Sequence, residues 1–425
     1  MKKIILAVLI ITLLISFCGC GGTGSTEDTH IDTDQGQADN DMFGDAGEPD
    51  VQQLNGRLFR SGDYIMHDNG DGTAFIISYE GSDSEVAFPE EIDGLTVTGI
   101  WTYSLLNSSS INKLTLPKSI KTTAYCALTS SVLESIEVDE ANPYLKSIEG
   151  VLYSKDGRTL ICYPGAYCAR KFERKFVLPD SVTTIAAGAF WYDFSLLMIE
   201  VGSGNKSFKS VDGVLYTKDG KTVVWYPAGK QNIIVHLADG VTGIARYAFV
   251  SARNIEQIII PASVEHIATN AFLQCTALRH LTVDENNPYF YSDEGAVLYN
   301  KDKTELIFYP PARAAASFSF LDGITKIGDY ACFSSRFIDK CPIPDTVTEI
   351  GFDAFKYCSW LDVVDIPASL KRIGENAFAD CDELLTINYA GTKAQWEAIE
   401  KGAHWKSGTT PEITVQCSDG NITEQ

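Results

Sequence analysis

Apolar residues recur along this chain with a spacing of 23 residues. The segment Ile343–Phe355 (IPDTVTEIGFDAF) aligns position by position with Ile366–Phe378 (IPASLKRIGENAF). A short alternation of the form L-x-x-I-x-I precedes each segment, which predicts a β-strand with one buried face. The second isoleucine of the segment, here called the anchor position, recurs at Ile100, Thr123, Ile185, Ile244, Ile267, Ile327, Ile350 and Ile373. Repeats of about 20–29 residues with this pattern indicate a leucine-rich-repeat solenoid, in which each coil buries its apolar side against its neighbours.

Three of the steps between anchors are longer, at 62, 59 and 60 residues. The additional residues are copies of one another: GVLYSKDGRTLICYP at 150–164, GVLYTKDGKTVVWYP at 213–227 and AVLYNKDKTELIFYP at 296–310. Two apolar runs around a Lys-Asp turn predict a β-hairpin in each copy. We therefore expect a β-rich solenoid of eight 23-residue coils with short helical turns, bearing three inserted hairpins.

The segments at either end of the repeats lack the 23-residue spacing. Residues 54–96 contain alternating apolar runs around Asp68-Asn-Gly-Asp-Gly72, which predicts a hairpin turn within an N-terminal β cap. Calcium at Asp68 and Asp71 is the alternative interpretation. The expected organisation is a signal peptide at 1–19, a lipidated cysteine and acidic tether at 20–53, the β cap at 54–96, the solenoid at 97–390 and a C-terminal cap at 391–425.

The full repeat pattern, L-x-x-I-x-I-P-x-x-V-x-x-I-G-x-x-A-F-x-x-C, resembles the BspA-type leucine-rich repeat of bacterial cell-surface proteins. The resemblance covers roughly Val97 to Tyr389, with departures at Leu105, Thr123, Leu128 and Cys332. Tyr389–Ile399, Trp405 and Cys417–Gly420 are similar to the usual end of that family, a small helix and strand that cap the last coil. The resemblance implies an adhesin-like role, in which the protein binds a macromolecule at the cell surface without catalysis.

The N-terminus has the pattern of an export signal. Met1-Lys2-Lys3 precedes a largely apolar run, Ile4–Phe17, that is too short to span a bilayer and is typical of a signal peptide. Phe17-Cys-Gly-Cys20 resembles a bacterial lipobox, which implies a lipid on Cys20 and a protein held at the extracellular face of the membrane; an ordinary secretory signal is the alternative. The following segment has no Lys or Arg and nine acids, which predicts a flexible tether: Glu27, Asp28, Asp32, Asp34, Asp39, Asp41, Asp45, Glu48 and Asp50.

Charge and cysteine content exclude several functions. Asp and Glu outnumber Lys and Arg by 56 to 34, a net charge of −22 that disfavours nucleic acid as a partner.

Cys358 and Cys381, one coil apart, are within reach of a disulfide or form a ladder of buried thiols. Further cysteines at predicted core positions are Cys162, Cys275, Cys332 and Cys341. Neither metal-ligand spacing nor a catalytic motif occurs, so we expect no cofactor and no enzyme, although a catalytic set assembled across distant coils stays an alternative.

Strand periodicity predicts which residues face outward to a ligand. Those flanking the second apolar position of each strand are Lys113, Thr115, Ser135, Glu137, Met198, Glu200, Gln257, Ile259, His280, Thr282, Lys340, Pro342, Val363, Asp365, Thr386 and Asn388. The candidate ligand-binding residues among them are Lys113, Glu137, Met198, Glu200, Gln257, Ile259, His280, Thr282, Val363 and Asp365. Aromatic residues in the hairpins either form a binding strip or pack on the solenoid: Tyr153, Tyr163, Tyr216, Trp225, Tyr226, Tyr299 and Tyr309.

These features favour a lipid-anchored surface protein that binds an extracellular protein or glycan. A structural module that binds the cell's own envelope components is the alternative. The sequence does not determine the oligomeric state.

Overall fold

The computed structural model describes residues 57–424 apart from residues 103, 106–107, 125, 295, 314–318 and 410–411. The predicted signal, Cys20 and the acidic tether lie outside the described residues. The chain divides into two compact units. Of the described residues, those up to Lys230 together with Ala245–Ser251 form unit 1, and Gln231–Ile244 together with those from Ala252 onward form unit 2.

Short strands make up most of the secondary structure in both units. The described strands of unit 1 are β1 Arg57–Ser61, β2 Tyr64–Asp68, β3 Thr73–Tyr79, β4 Glu85–Ala87, β5 Glu91–Ile92, β6 Leu95–Ile100, β7 Lys113–Leu116, β8 Thr122–Thr123, β9 Ser135–Val138, β10 Leu145–Ile148, β11 Val151–Ser154, β12 Thr159–Cys162, β13 Lys175–Leu178, β14 Thr184–Ile185, β15 Met198–Val201, β16 Phe208–Val211, β17 Val214–Thr217 and β18 Thr222–Trp225, and helix α1 spans Tyr167–Lys171. Those of unit 2 are β19 Ile234–His236, β20 Gly243–Ile244, β21 Gln257–Ile260, β22 His266–Ile267, β23 His280–Val283, β24 Phe290–Ser292, β25 Leu298–Asn300, β26 Glu305–Phe308, β27 Lys326–Ile327, β28 Lys340–Pro342, β29 Glu349–Ile350, β30 Val363–Ile366, β31 Arg372–Ile373, β32 Thr386–Tyr389, β33 Glu400–Lys401, β34 Ile413–Cys417 and β35 Gly420–Glu424, with helix α2 Lys393–Glu397.

The L-x-x-I-x-I segments form parallel sheets, here called the face sheets. Their strand orders are β4-β7-β9 and β13-β15 in unit 1, and β19-β21-β23 and β28-β30-β32-β34 in unit 2. Strands pair in register, so that Cys341, Val364 and Ile387 are direct neighbours. All three of these side chains are fully buried, because alternate residues of a strand point into the core.

The anchor residues form a second set of parallel ladders. In unit 1, Ile76 pairs with Ile100 and Ile100 with Thr123. In unit 2 the order is Leu306, Ile327, Ile350, Ile373 and Lys401. Successive coils therefore stack through hydrogen bonds on two sides, and the solenoid predicted from the 23-residue spacing is confirmed.

Each inserted hairpin contributes a coil of its own. The last hairpin strand pairs in parallel with the next anchor strand, placing Leu160 beside Ile185 in unit 1 and Leu306 beside Ile327 in unit 2. Leu160 and Leu306 are fully buried because they occupy the apolar anchor position. The expected eight coils are therefore too few, because the described residues form about 13 turns with little helix.

Buried asparagines join each hairpin to the coil before it. Asn287 is fully buried, and its Nδ2 donates to the carbonyl oxygens of Pro261 (3.1 Å) and Val264 (2.8 Å). Its Oδ1 accepts from the amides of Tyr289 and Phe290, both at 2.8 Å. The same four bonds are made by Asn142 and Asn205.

The segments at the two ends extend the stacked ladders. In unit 1, β1, β2 and β3 form an antiparallel meander whose last strand pairs in parallel with β6. In unit 2, α2 begins with a capping box between Thr392 and Gln395, and its Trp396 is buried. Trp396 Nε1 donates to Glu424 Oε1 (2.6 Å), which fixes the helix against the final strand, β35.

Candidate binding surface

The predicted outward residues are exposed or half-buried except for Ser135, which is buried because the turn at Gly150 packs against it. In β7 and β30, for example, the burial pattern alternates between exposed or half-buried and fully buried residues. Lys113, Glu200, His280 and Asp365 are exposed. The arrangement of these residues on the strands follows the sequence prediction, whereas their role in binding stays a prediction.

The hairpins divide the face into separate groups. The amide of Ile136 in β9 donates to Gly150 O (2.9 Å), and the amide of Ile199 in β15 donates to Gly213 O (2.9 Å). In both cases a hairpin turn covers the edge of the face strand, so the next coil does not continue the same sheet. The candidate residues thus fall into four groups. In unit 1 these are Lys113 with Glu137, and Met198 with Glu200. In unit 2 they are the set Gln257, Ile259, His280 and Thr282, and the pair Val363 and Asp365.

In unit 1 the first group borders a polar depression of about 300 Å³. Five charged residues line it, together with Ser84, Asn112 and Ser135: Glu85, Lys113, Glu134, Glu137 and Arg170. Arg170 extends from α1 across the turn at Gly150, where an added Cβ would lie 2.8 Å from its Nη1. Neither an ion pair nor a side-chain hydrogen bond links any of the five to another described residue, so all five can reach a ligand.

In unit 2 the outward residues form ordered rows across the strands. Ile234, Gln257 and His280 are register partners, as are His236, Ile259 and Thr282. Gln257 Nε2 donates to Thr282 Oγ1 (3.0 Å). In the second face sheet of the unit, Asn388 Nδ2 donates to Asp365 Oδ1 (2.6 Å). The first bond joins two neighbouring rows and the second lies within one row. Both fix side chains of a mixed polar and apolar surface.

The aromatic residues of the hairpins belong to the core. Tyr153, Tyr163, Trp225, Tyr226, Tyr299 and Tyr309 are buried, and Tyr216 is half-buried. Tyr163 contacts Phe176 edge to face, with ring centroids 4.9 Å apart. Packing on the solenoid is therefore confirmed, and an aromatic binding strip on the hairpins is excluded.

The cysteines of the described region are free thiols. Eight are buried, including all six assigned to core positions, and Cys417 is half-buried. Cys358 Sγ donates to Cys332 O and Cys381 Sγ to Phe355 O, both at 3.1 Å. Burial raises the pKa of the Cys358 thiol to about 12, so the thiol form predominates at neutral pH. The structure has the buried thiols and not the Cys358–Cys381 disulfide.

The titratable groups that burial perturbs most strongly are enclosed. Lys356 Nζ lies 3.8 Å from Asp353 Oδ2, and neither side chain is exposed to solvent. Burial holds the pKa of Asp353 well above its ordinary value, against the opposing effect of the Lys356 charge. No group of three or more His, Cys, Asp or Glu side chains in the described residues is placed to hold a metal. Helices long and apolar enough to cross a bilayer are also absent from that part of the chain.

Two features of the structure are missing from the sequence predictions. The buried asparagines had a detectable signal, because Asn142 and Asn205 each lie 11 residues before a hairpin tyrosine and Asn287 lies 12 before one. The second feature is an exposed aromatic pair, Phe337 and Trp360, separated by one repeat length.

Similar solved structures are bacterial leucine-rich-repeat proteins. A leucine rich cell surface protein from Faecalibacterium prausnitzii A2-165 has 19% identity and a TM-score of 0.32, covering 81% of this chain and 97% of that one. The pneumococcal vaccine antigen PcpA has 18% identity and a TM-score of 0.37, covering 85% and 88%. A leucine-rich repeat protein from Eubacterium ventriosum ATCC 27560 has 18% identity and a TM-score of 0.36, covering 85% and 98%. Comparison with curated proteins finds no match.

The model of the BspA type leucine rich repeat region matches this chain in six copies. The matched residues are 84–155, 230–300 and 307–419, which amount to more than half of the chain. They include the face strands of unit 2 and strands β4, β7 and β9 of unit 1. The face strands β13 and β15 lie between the first two matched ranges. The chain therefore belongs to the BspA-type leucine-rich-repeat family.

Proposed function

We propose that this protein is a non-catalytic binding protein of the bacterial cell surface, and that its ligand is an extracellular protein or glycan. The observation that carries the proposal is the set of outward side chains held in register on the face sheets. Parallel strands place equivalent residues about 4.8 Å apart, so successive coils form a rigid array of contacts. Such an array suits recognition of a large ligand better than catalysis on a small one.

The polar depression in unit 1 is proposed as one contact region of this surface. Its two cations, Lys113 and Arg170, and its acids Glu85, Glu134 and Glu137 are available to charged groups of a ligand. Elsewhere in unit 1, cations of the same type are paired: Lys175 lies 3.2 Å from Glu200. Charged rims of this kind favour specificity and rapid association more than affinity.

The test is binding of the unlipidated chain from residue 21 onward to arrayed glycans and to matrix and host-surface proteins. The measurement is made at physiological salt, with calcium present or chelated. We expect a saturable ligand whose binding is lost when Met198, Ile259 and His280 are replaced together by alanine. A control variant changes three exposed aromatic residues outside the face strands to alanine: Tyr144, Phe172 and Tyr289.

Equal binding by the two triple variants would contradict the assignment to the face sheets. Folded protein without any ligand on the arrays would favour the alternative role, binding to components of the cell's own envelope. A pull-down from envelope fractions would then identify the partner.

We also propose that a lipid on Cys20 holds the protein at the membrane. Support comes from the sequence Phe17-Cys-Gly-Cys20 and from the acidic segment that follows, which would act as a tether. Cys20→Ala should release the protein into the medium. Retention of that variant in the membrane fraction would refute the lipid anchor.

A further inference from the structure

Unit 2 carries an exposed pair of aromatic side chains at the border of its second face sheet. Trp360 is 59% exposed and Phe337 is 38% exposed. Their ring centroids lie 5.8 Å apart at an interplanar angle of 81°, an edge-to-face contact. Each ring precedes a face strand by three residues, and β28 and β30 are paired in register, so the rings lie on consecutive coils.

The fold does not require aromatic residues at these positions. The equivalent positions before β21, β23 and β32, also in unit 2, hold Asn254, Ala277 and Glu383. The apolar position needed by the core is the next residue, and there Ile338 and Leu361 are fully buried. A solvent-facing position that accepts Asn, Ala or Glu elsewhere, but holds Phe and Trp in two adjacent coils, indicates a contact surface.

Two carboxylates lie beside the aromatic pair, on the same two coils. Asp339 and Asp362 are both exposed, and the Asp362 amide donates to Asp339 O (2.9 Å), which makes them neighbours across the strands. The equivalent positions before β21 and β23 hold Glu256 and Arg279, which form an ion pair at 3.8 Å. At the aromatic pair, two like charges take the place of that ion pair, an arrangement that is unfavourable without a cation.

Among the described residues, no Lys or Arg side chain forms an ion pair with either of these two acids. Arg336 and Lys340 are close in sequence, but neither forms an ion pair with Asp339 or Asp362 in the described structure. Within the described part of the chain, the Asp339 carboxylate accepts one hydrogen bond, from the Lys340 backbone amide at 2.8 Å. Both carboxylates can therefore accept hydrogen bonds from a partner.

We infer that the aromatic pair and its two carboxylates bind a basic segment of a partner protein through an arginine side chain. An edge-to-face contact occupies the edge of one ring and the face of the other, and the exposure of Trp360 leaves indole surface open to a guanidinium. A cation over an aromatic face is attracted by the ring quadrupole. The same guanidinium can donate to a carboxylate in a forked geometry, which Lys does not match. This site is additional to the outward rows of the face sheets.

The test is an isothermal calorimetric titration of the full chain with a synthetic peptide, acetyl-(Gly-Arg)₄-amide, at two salt concentrations. An acidic protein attracts any basic peptide, so the variants decide the outcome. Trp360→Ala should weaken binding about tenfold, and Asp339→Asn with Asp362→Asn should weaken it and reduce its salt dependence. A peptide with lysine in place of arginine should bind less tightly than the arginine peptide.

Phe172→Ala is the matched control, because Phe172 is an aromatic residue that is 96% exposed and is not part of the pair. It should bind the peptide as the unchanged protein does. Binding of equal strength by Trp360→Ala, with the variant shown folded by circular dichroism, would overturn the inference, as would absence of saturable binding. The result is independent of the face-sheet proposal, because none of Met198, Ile259 and His280 belongs to this site.

Discussion

Replacing Asn287 by alanine tests whether a single buried amide holds the third hairpin to the solenoid. Its side chain makes four hydrogen bonds, two to carbonyls of the preceding coil and two to amides at the start of the hairpin. Alanine removes all four and leaves their backbone partners without this amide. The neighbouring Asn286 is exposed and supplies the control, because its Nδ2 donates to the nearby Asp284 Oδ1 (3.1 Å) and not to the preceding coil in the described structure.

The expected loss in the free energy of unfolding follows from the number of bonds. At about 0.5–1.5 kcal/mol for each bond, four bonds are worth about 2–6 kcal/mol. Pro261 O still accepts a hydrogen bond from the Val264 amide (3.2 Å), which reduces the free-energy cost of removing its bond from Asn287. We therefore expect about 3 kcal/mol for Asn287→Ala and less than about 0.5 kcal/mol for Asn286→Ala. Asn287→Asp should cost more than alanine, because a carboxylate would face two carbonyl oxygens.

Urea unfolding measures the overall loss, and hydrogen exchange locates it. Solenoids unfold in segments, so a single transition is not assured and the local measurement is the stronger one. The Tyr289 and Phe290 amides, which donate to Asn287, should lose protection in Asn287→Ala and keep it in Asn286→Ala. Equal stability and equal protection in the two variants would refute the role of the buried amide.

Three further predictions test the repeat register, the thiols and the hairpin turns. Ile350→Asp buries an unpaired charge and should lower the free energy of unfolding by on the order of 4 kcal/mol. Asp365→Ala, at an exposed position, should lower it by less than about 0.5 kcal/mol. Equal melting temperatures of the two variants would contradict the repeat register. Cys358 and Cys381 should resist iodoacetamide in the folded protein and react fully in denaturant, as mass spectrometry can show, because burial raises the pKa of both thiols; failure to react after unfolding would instead indicate a disulfide. Hydrogen bonds from the Thr217 hydroxyl and the Lys221 amide lower the pKa of Asp219 below its ordinary value of 3.8. The ionised carboxylate therefore stabilises the folded state above pH 3.8, and this stabilisation is lost as the pH falls through the lowered pKa. The melting temperature of Asp219→Ala should therefore lie below that of the unchanged protein at pH 7, and the difference should shrink in acid; a constant difference would refute the linkage.

The candidate site was predictable only in part. Side chains of a strand alternate between two faces, so the outward position of Lys113 or Asp365 followed from the strand pattern alone. Which outward residues adjoin one another did not follow, because Arg170 reaches the depression beside Lys113 from a helix more than 50 residues later in the chain. The isolation of Met198 from Glu137 likewise depends on a hairpin turn that covers the edge of β9.

The sequence by itself determined the repeat length, the strands, the buried side of each coil and the burial of cysteines such as Cys358. These are local properties, because hydrophobic alternation and turn residues act over a few positions. Tertiary structure decided which strands pair and which polar groups meet. Leu160 becomes an anchor because it lies beside Ile185 after the hairpin returns to the ladder. Asn287 finds its acceptors 23 and 26 residues earlier in the chain. Such contacts depend on how coils stack, which no short segment of sequence specifies.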